Sequence, residues 1–175
     1  MCLLKIKNSY PKGEDKFERK ELYRFDEKGT QKTRILIELE LYPSRVCLLS
    51  FYAKGVGNED NKYNKRLNLG AGYVLRVLKA CMKAYEELME DYALIFYASN
   101  DEGQVKEINK RFNVYRLFLE RYYGDSISEY VIHSSISTNT LLIYHQSFQY
   151  KDEANLFFEK YDKKVRGDLY EDEGC

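Results

Sequence analysis

Tryptophan is absent from these 175 residues, and proline and histidine occur only twice each. The four cysteines, Cys2, Cys47, Cys81 and Cys175, are scattered without a C-x-x-C pair. With two histidines and no paired thiols, no metal-site spacing can be drawn, and no metal is expected. No Ser-His-Asp or Cys-His set can be assembled in a sensible order, and no pair of carboxylates stands out for acid–base work. Charge of one sign is also missing: 28 Lys plus Arg balance 28 Asp plus Glu. A neutral chain lacks the positive field with which a nucleic-acid binder attracts phosphates, so nucleic acid is not an expected partner. No apolar run approaches the ~18 residues of a membrane span, and "MCLLKIKNSY" carries too short an apolar stretch for a signal peptide. The expected setting is cytosolic, with no membrane partner. Internal repeats and low-complexity tracts are absent as well.

What the chain has is apolar surface and tyrosine. Hydrophobic residues make up 44% and aromatics 15%, with 17 Tyr against 9 Phe. One domain of this length can build a true core. Tyrosine buries a ring while leaving its hydroxyl near water, which suits a thin domain with many half-buried positions. Cys47 in an apolar strand and Cys81 on an apolar helix stripe read as buried, reduced thiols.

Periodicity orders the elements. "CLLKIK" reads as a short strand and the charged "NSYPKGEDKFERKE" (8–21) as a loop. "LYRF" (22–25) leads to a turn at "DEKG". "TRILIELELY" (33–42) alternates, with Ile35, Ile37, Leu39 and Leu41 on one face and Glu38 and Glu40 on the other, as a half-buried strand does. "RVCLLSFYA" (45–53) reads as a more buried strand. A polar loop (54–68) follows, and then an amphipathic helix with Val74, Val77, Leu78, Cys81, Tyr85, Leu88 and Met89 on its stripe. "YALIFYAS" (92–99) is a central strand. A second helix is expected over 103–123, with Ile108, Phe112, Tyr115, Leu119 and Tyr122 inward and Gly124 as its C-cap. A hairpin (128–136 and 140–148) and a third helix (152–165) complete the chain. The predicted class is therefore α+β: one mixed, mostly antiparallel sheet with helices packed on it. Residues 1–21 form an N-terminal strand and loop extension, 22–150 the core domain, and 151–175 a C-terminal helix and acidic tail.

That order resembles the C-terminal two-thirds of the GCN5-related N-acetyltransferase fold, in which a meander enters a helix through a glycine turn. The stretch "RLNLGAG" (66–72) is similar to that family's Arg/Gln-x-x-Gly-x-Gly/Ala turn, with Gly70, Ala71 and Gly72 at its end and Leu67 where the family carries Arg or Gln. "NKRFNVYRLF" (109–118) resembles its Asn…Leu-Tyr segment. The resemblance implies backbone amides donated to the pyrophosphate of acetyl-CoA, and Tyr115 as general acid. Arg76-Val77-Leu78 together with Arg111 to Tyr115 also looks like uncharacterised bacterial and phage domains of this size, a likeness that spans about residues 22–148 and implies no activity.

Each candidate also has a purely structural account. Gly70 and Gly72 either cradle a phosphate or simply permit the turn into the helix. Tyr115 sits on an apolar stripe, as a core tyrosine would. Arg111 either cross-links the second helix to the end of the central strand or is solvated. Ser99, Asn100 and Asp101 lie where strand-end sites form, but Ser99 or Asn100 also suits a helix N-cap. His133 and His145 are expected to be near neighbours across the terminal hairpin. Without a catalytic set, the expected role is a small regulatory or adaptor protein of a bacterial or phage accessory genome. It would act through a protein partner or as a homo-oligomer and need no cofactor. The alternative is a trimmed acetyltransferase or CoA-binding protein.

Overall fold

The computed structural model describes residues 2–12, 16–26, 34–56, 62–63, 71–99 and 110–167. Among these described residues, seven strands form one sheet: β1 (Cys2–Ser9), β2 (Arg19–Asp26), β3 (Ile35–Tyr42), β4 (Val46–Ala53), β5 (Ala93–Tyr97), β6 (Tyr130–Ser135) and β7 (Thr140–His145). Three helices accompany it: α1 (Ala71–Tyr85), α2 (Lys110–Tyr123) and α3 (Lys151–Arg166). The strand order is β1-β2-β3-β4-β5-β7-β6, and every neighbouring pair is antiparallel except β4 with β5. The α+β class with a mixed sheet is therefore the observed one.

The antiparallel meander is longer than the sequence suggested. Only the two ends of the stretch expected as loop are strand: β1 runs to Ser9 and β2 begins at Arg19. The charged sequence of β2, "RKELYRFD", hides its alternation, because Glu21 takes an inward place beside Tyr23 and Phe25. On β1 the register with β2 shifts between Lys5 and Lys7. Lysines and a bulge on an edge strand are the usual devices against unwanted pairing.

A parallel pair cannot be joined by a tight turn, so the chain crosses from β4 to β5 through α1. Val77, Leu78, Cys81 and Tyr85 of α1 and Phe112, Tyr115, Phe118 and Leu119 of α2 bury against Ile37, Leu39, Cys47, Leu49 and Phe96 on one face of the sheet. Both described free thiols, Cys47 and Cys81, lie in this core. On the opposite face α3 places Ala154, Phe157 and Phe158 over Val46, Ala93, Ile95 and Leu142. Gly124 after α2 and Gly167 after α3 have positive φ, as residues that close helices do. Asp162 of α3 is buried and accepts hydrogen bonds from Thr138 and Arg166, which ties the helix to the β6–β7 turn.

The two histidines are not neighbours. His133 pairs with Leu142, and His145 pairs with Tyr130. The turn occupies Ile136–Asn139 rather than centring on Thr138-Asn139, and Asn139 takes a positive φ of 54°. In this register His145 lies on the α2 side, against Tyr130, and His133 on the α3 side, against Tyr144 and Phe158.

Leu39 lies fully buried in the core on the α1 side. Leu39→Ala, at a fully buried position in β3, is expected to lower unfolding free energy by about 3 kcal/mol. Urea denaturation followed by circular dichroism measures this, with the denaturant slope unchanged.

Candidate functional site

Strands β4 and β5 pair from Val46↔Ala93 to Leu49↔Phe96, and there their ladder stops. β4 runs on to Ala53, while the chain after β5 leans towards β7, with the Ala98 amide donating to the Asn139 carbonyl at 2.9 Å. The two strands part at their carboxyl ends, the place where ligands of α/β sheets collect.

Tyr63 bridges the parted ends. Its carbonyl accepts hydrogen bonds from Arg111 Nη1 at 2.7 Å and from Ser99 Oγ at 2.9 Å. Arg111 also donates to the Ser99 carbonyl at 3.3 Å and to Ser99 Oγ at 3.0 Å. Two residues singled out in the sequence, Ser99 and Arg111, thus meet, and Arg111 does fasten α2 to the end of β5. Ser99 spends its hydroxyl on Tyr63. Gly70, Asn100 and Asp101 lie outside the described residues. Ala71 and Gly72 open α1, and Gly72 is exposed. Its backbone is not strained: a Cβ built there would meet only Arg76 Nη1, at 3.7 Å.

Tyr115 lies one helical turn beyond Arg111, packed against Phe51 of β4 and Phe96 of β5. Burial drives its hydroxyl pKa well above the ordinary tyrosine value, and the Arg111 charge offsets only part of that. The hydroxyl therefore stays protonated at neutral pH, and the side chain belongs to the core.

On the α3 face of the sheet the site continues into a buried polar cluster. Glu38 of β3, only 5% exposed, accepts hydrogen bonds from Tyr63 Oη and, at 2.8 Å, from Tyr52 Oη. Lys62 Nζ lies 3.3 Å from the same carboxylate and Lys20 Nζ 3.9 Å from it. The Lys62 ammonium also rests over the rings of Tyr52 and Tyr63, at 4.4 and 5.0 Å from their centroids. Such stacking suits a cation that has left water. Burial alone would raise the Glu38 pKa, but the two hydroxyls and the two lysines outweigh it and hold the carboxyl below 4.5. Glu38 alternates with leucines, so period two reads it as a solvent-facing residue. Residues 62 and 63, from further along the chain after β4, supply two of its partners. Among the described residues, no group of three or more His, Cys, Asp or Glu is placed to hold a metal ion.

Because the folded-state pKa of Glu38 is depressed, its contribution to stability is full above the unfolded value and fades as pH falls through the folded one. Glu38→Gln removes one member of a buried ion pair and is expected to lower stability at neutral pH by about 3 kcal/mol. The difference from wild type should shrink below pH 4.5, the ordinary carboxyl value. Urea midpoints measured across the acid range check the sign.

Compared with known proteins, the chain matches no family model, no curated protein and no solved structure.

Proposed function

We propose that this chain binds an acyl-CoA or CoA, with the phosphates at the start of α1 and the thioester end directed between β4 and β5. It would be a trimmed counterpart of the N-acetyltransferases whose element order it resembles. One observation carries the reading: α1 starts, as described, at the edge where the parallel strands part, and Arg111 in the first described turn of α2 reaches the same edge. α1 must begin at that edge because it crosses from the end of β4 back to the start of β5. As described, α1 has no acidic residue in its first turn. Arg76, Lys110 and Arg111 add positive charge to the same end. Exposed amides and aligned dipoles at helix starts attract phosphate. Acyl transfer would further need a base for the acceptor amine. Tyr115, protonated and packed in the core, cannot serve as one, so the reading is of binding first and catalysis second.

A protein-binding role, regulatory or adaptor in kind, is the second reading. Val114, Leu117 (47% exposed) and Tyr122 (43% exposed) project from α2, and exposed aromatic and aliphatic side chains anchor many interfaces.

Gly72→Asp separates fold from ligand. The substitution meets ordinary space and places a carboxylate in the first turn of α1, where it favours the helix and repels a pyrophosphate. The unliganded variant should melt at or above the wild-type temperature. Saturating acetyl-CoA, roughly 100 times its Kd, should stabilise the wild type by about 2.7 kcal/mol and leave the variant unmoved. Equal melting curves for the wild type with and without millimolar acetyl-CoA would sink the acyl-CoA reading and leave the protein-binding one.

A further inference from the structure

We infer that the dipeptide Lys62-Tyr63 is an internal latch that holds the parted ends of β4 and β5 together, and that an acyl-CoA entering between them must displace it. The inference rests on the acyl-CoA reading and adds to it a built-in competitor. Its evidence is that the dipeptide is fastened at both ends. On one side the Tyr63 carbonyl takes two hydrogen bonds, from Ser99 Oγ beyond β5 and from Arg111 Nη1 on α2. On the other, the Tyr63 hydroxyl donates to Glu38 with Ser50 of β4 alongside, and its ring stands edge-on to Tyr52 at 5.4 Å. Ser50 and Tyr52 belong to the part of β4 that extends past its last β5 partner. The latch thus lies across the opening that the diverging strands create.

The fastenings are of an unusual kind for a loop. Loop residues ordinarily keep their polar groups in water, whereas Lys62 is 8% exposed and shares a carboxylate with two tyrosines. Burying a lysine and a glutamate together is tolerated only where partners replace the lost water. Here they do, so the closed arrangement is a defined state. A ligand that needs the open state sees its apparent affinity reduced by the fraction of molecules that are open. Arg111 stands at the junction: it holds Tyr63 when the latch is closed, and it carries a charge suited to a phosphate or carbonyl when the latch has left.

Tyr63→Phe keeps the ring and removes the hydroxyl that reaches Glu38. Ser99→Ala, at the other end, removes one donor to the Tyr63 carbonyl and does not disturb the Glu38 cluster. Binding of acetyl-CoA by isothermal titration and hydrogen exchange over residues 62–63 are to be compared in the wild type and both variants. Each variant should exchange faster over this segment and bind acetyl-CoA up to about tenfold more tightly, since one hydrogen bond is worth roughly that factor. Faster exchange with unchanged or weaker binding in both variants overturns the latch and leaves the acyl-CoA reading standing. Unchanged exchange overturns it as well, because these contacts would then not be what holds the segment. Absence of acetyl-CoA binding in all three proteins overturns the acyl-CoA reading, and the competition falls with it.

Discussion

The parallel pairing of β4 with β5 is the constraint on which the rest of the molecule depends. Antiparallel neighbours can be joined by a few residues, but this pair requires the chain to return along a face of the sheet, and that return is α1. Covering one face with α1 and α2 leaves the other open where the central strands are most apolar, and α3 closes it. The same pairing fixes polarity. α1 starts, as described, at the carboxyl edge, and Arg111 in the first described turn of α2 reaches Ser99 at the same edge, where the ladder ends at Leu49↔Phe96. A fully antiparallel sheet would not bring them together.

Buried and half-buried carboxylates are the second theme, and four of the tyrosines serve them. Glu21 is held by Tyr23 Oη at 2.7 Å, and Glu40 by Tyr42 Oη at 3.0 Å. In each case the tyrosine stands two residues further along the same strand, on the same face. Glu38 takes its tyrosines from the next strand and from the following loop. A tyrosine supplies apolar area to the sheet and a donor to a carboxylate that has left water, which neither phenylalanine nor lysine does alone. Lys5 and Arg19 complete the Glu21 group, and Lys20 ties Glu40 to the edge of the Glu38 group. Where the charges are satisfied in this way, polar residues can sit inside a sheet without unfolding it.

Much of the fold was legible in the residues. The alternation of Ile35, Ile37, Leu39 and Leu41 marked β3, and the stripe through Val77, Leu78, Cys81 and Tyr85 marked the buried side of α1. The apolar run of β5 marked a central strand, and Gly124 marked the end of α2. The first strands were less visible, because Glu21 and Lys20 interrupt the apolar signal with charges whose partners lie on other strands. Of the site, Ser99 and Arg111 could be picked out by their place near a strand end, and Tyr115 by its place on a stripe. Glu38, Lys62 and Tyr63 could not: a glutamate on an alternating strand and a Lys-Tyr pair in a polar loop carry no local mark of burial.

The sequence by itself determined what depends on short-range spacing: the type and order of the elements and the sides that bury. Those are properties of periods of two and of three to four residues, set by backbone geometry. Only the tertiary structure decided the register of the last hairpin, which pairs His133 with Leu142 and His145 with Tyr130, and the burial of Glu38. It also decided the meeting of Tyr63 with Ser99 and Arg111 across 36 and 48 residues of chain. Each of these depends on where distant segments come to rest, and the free energy that fixes them comes from partners the local sequence does not contain.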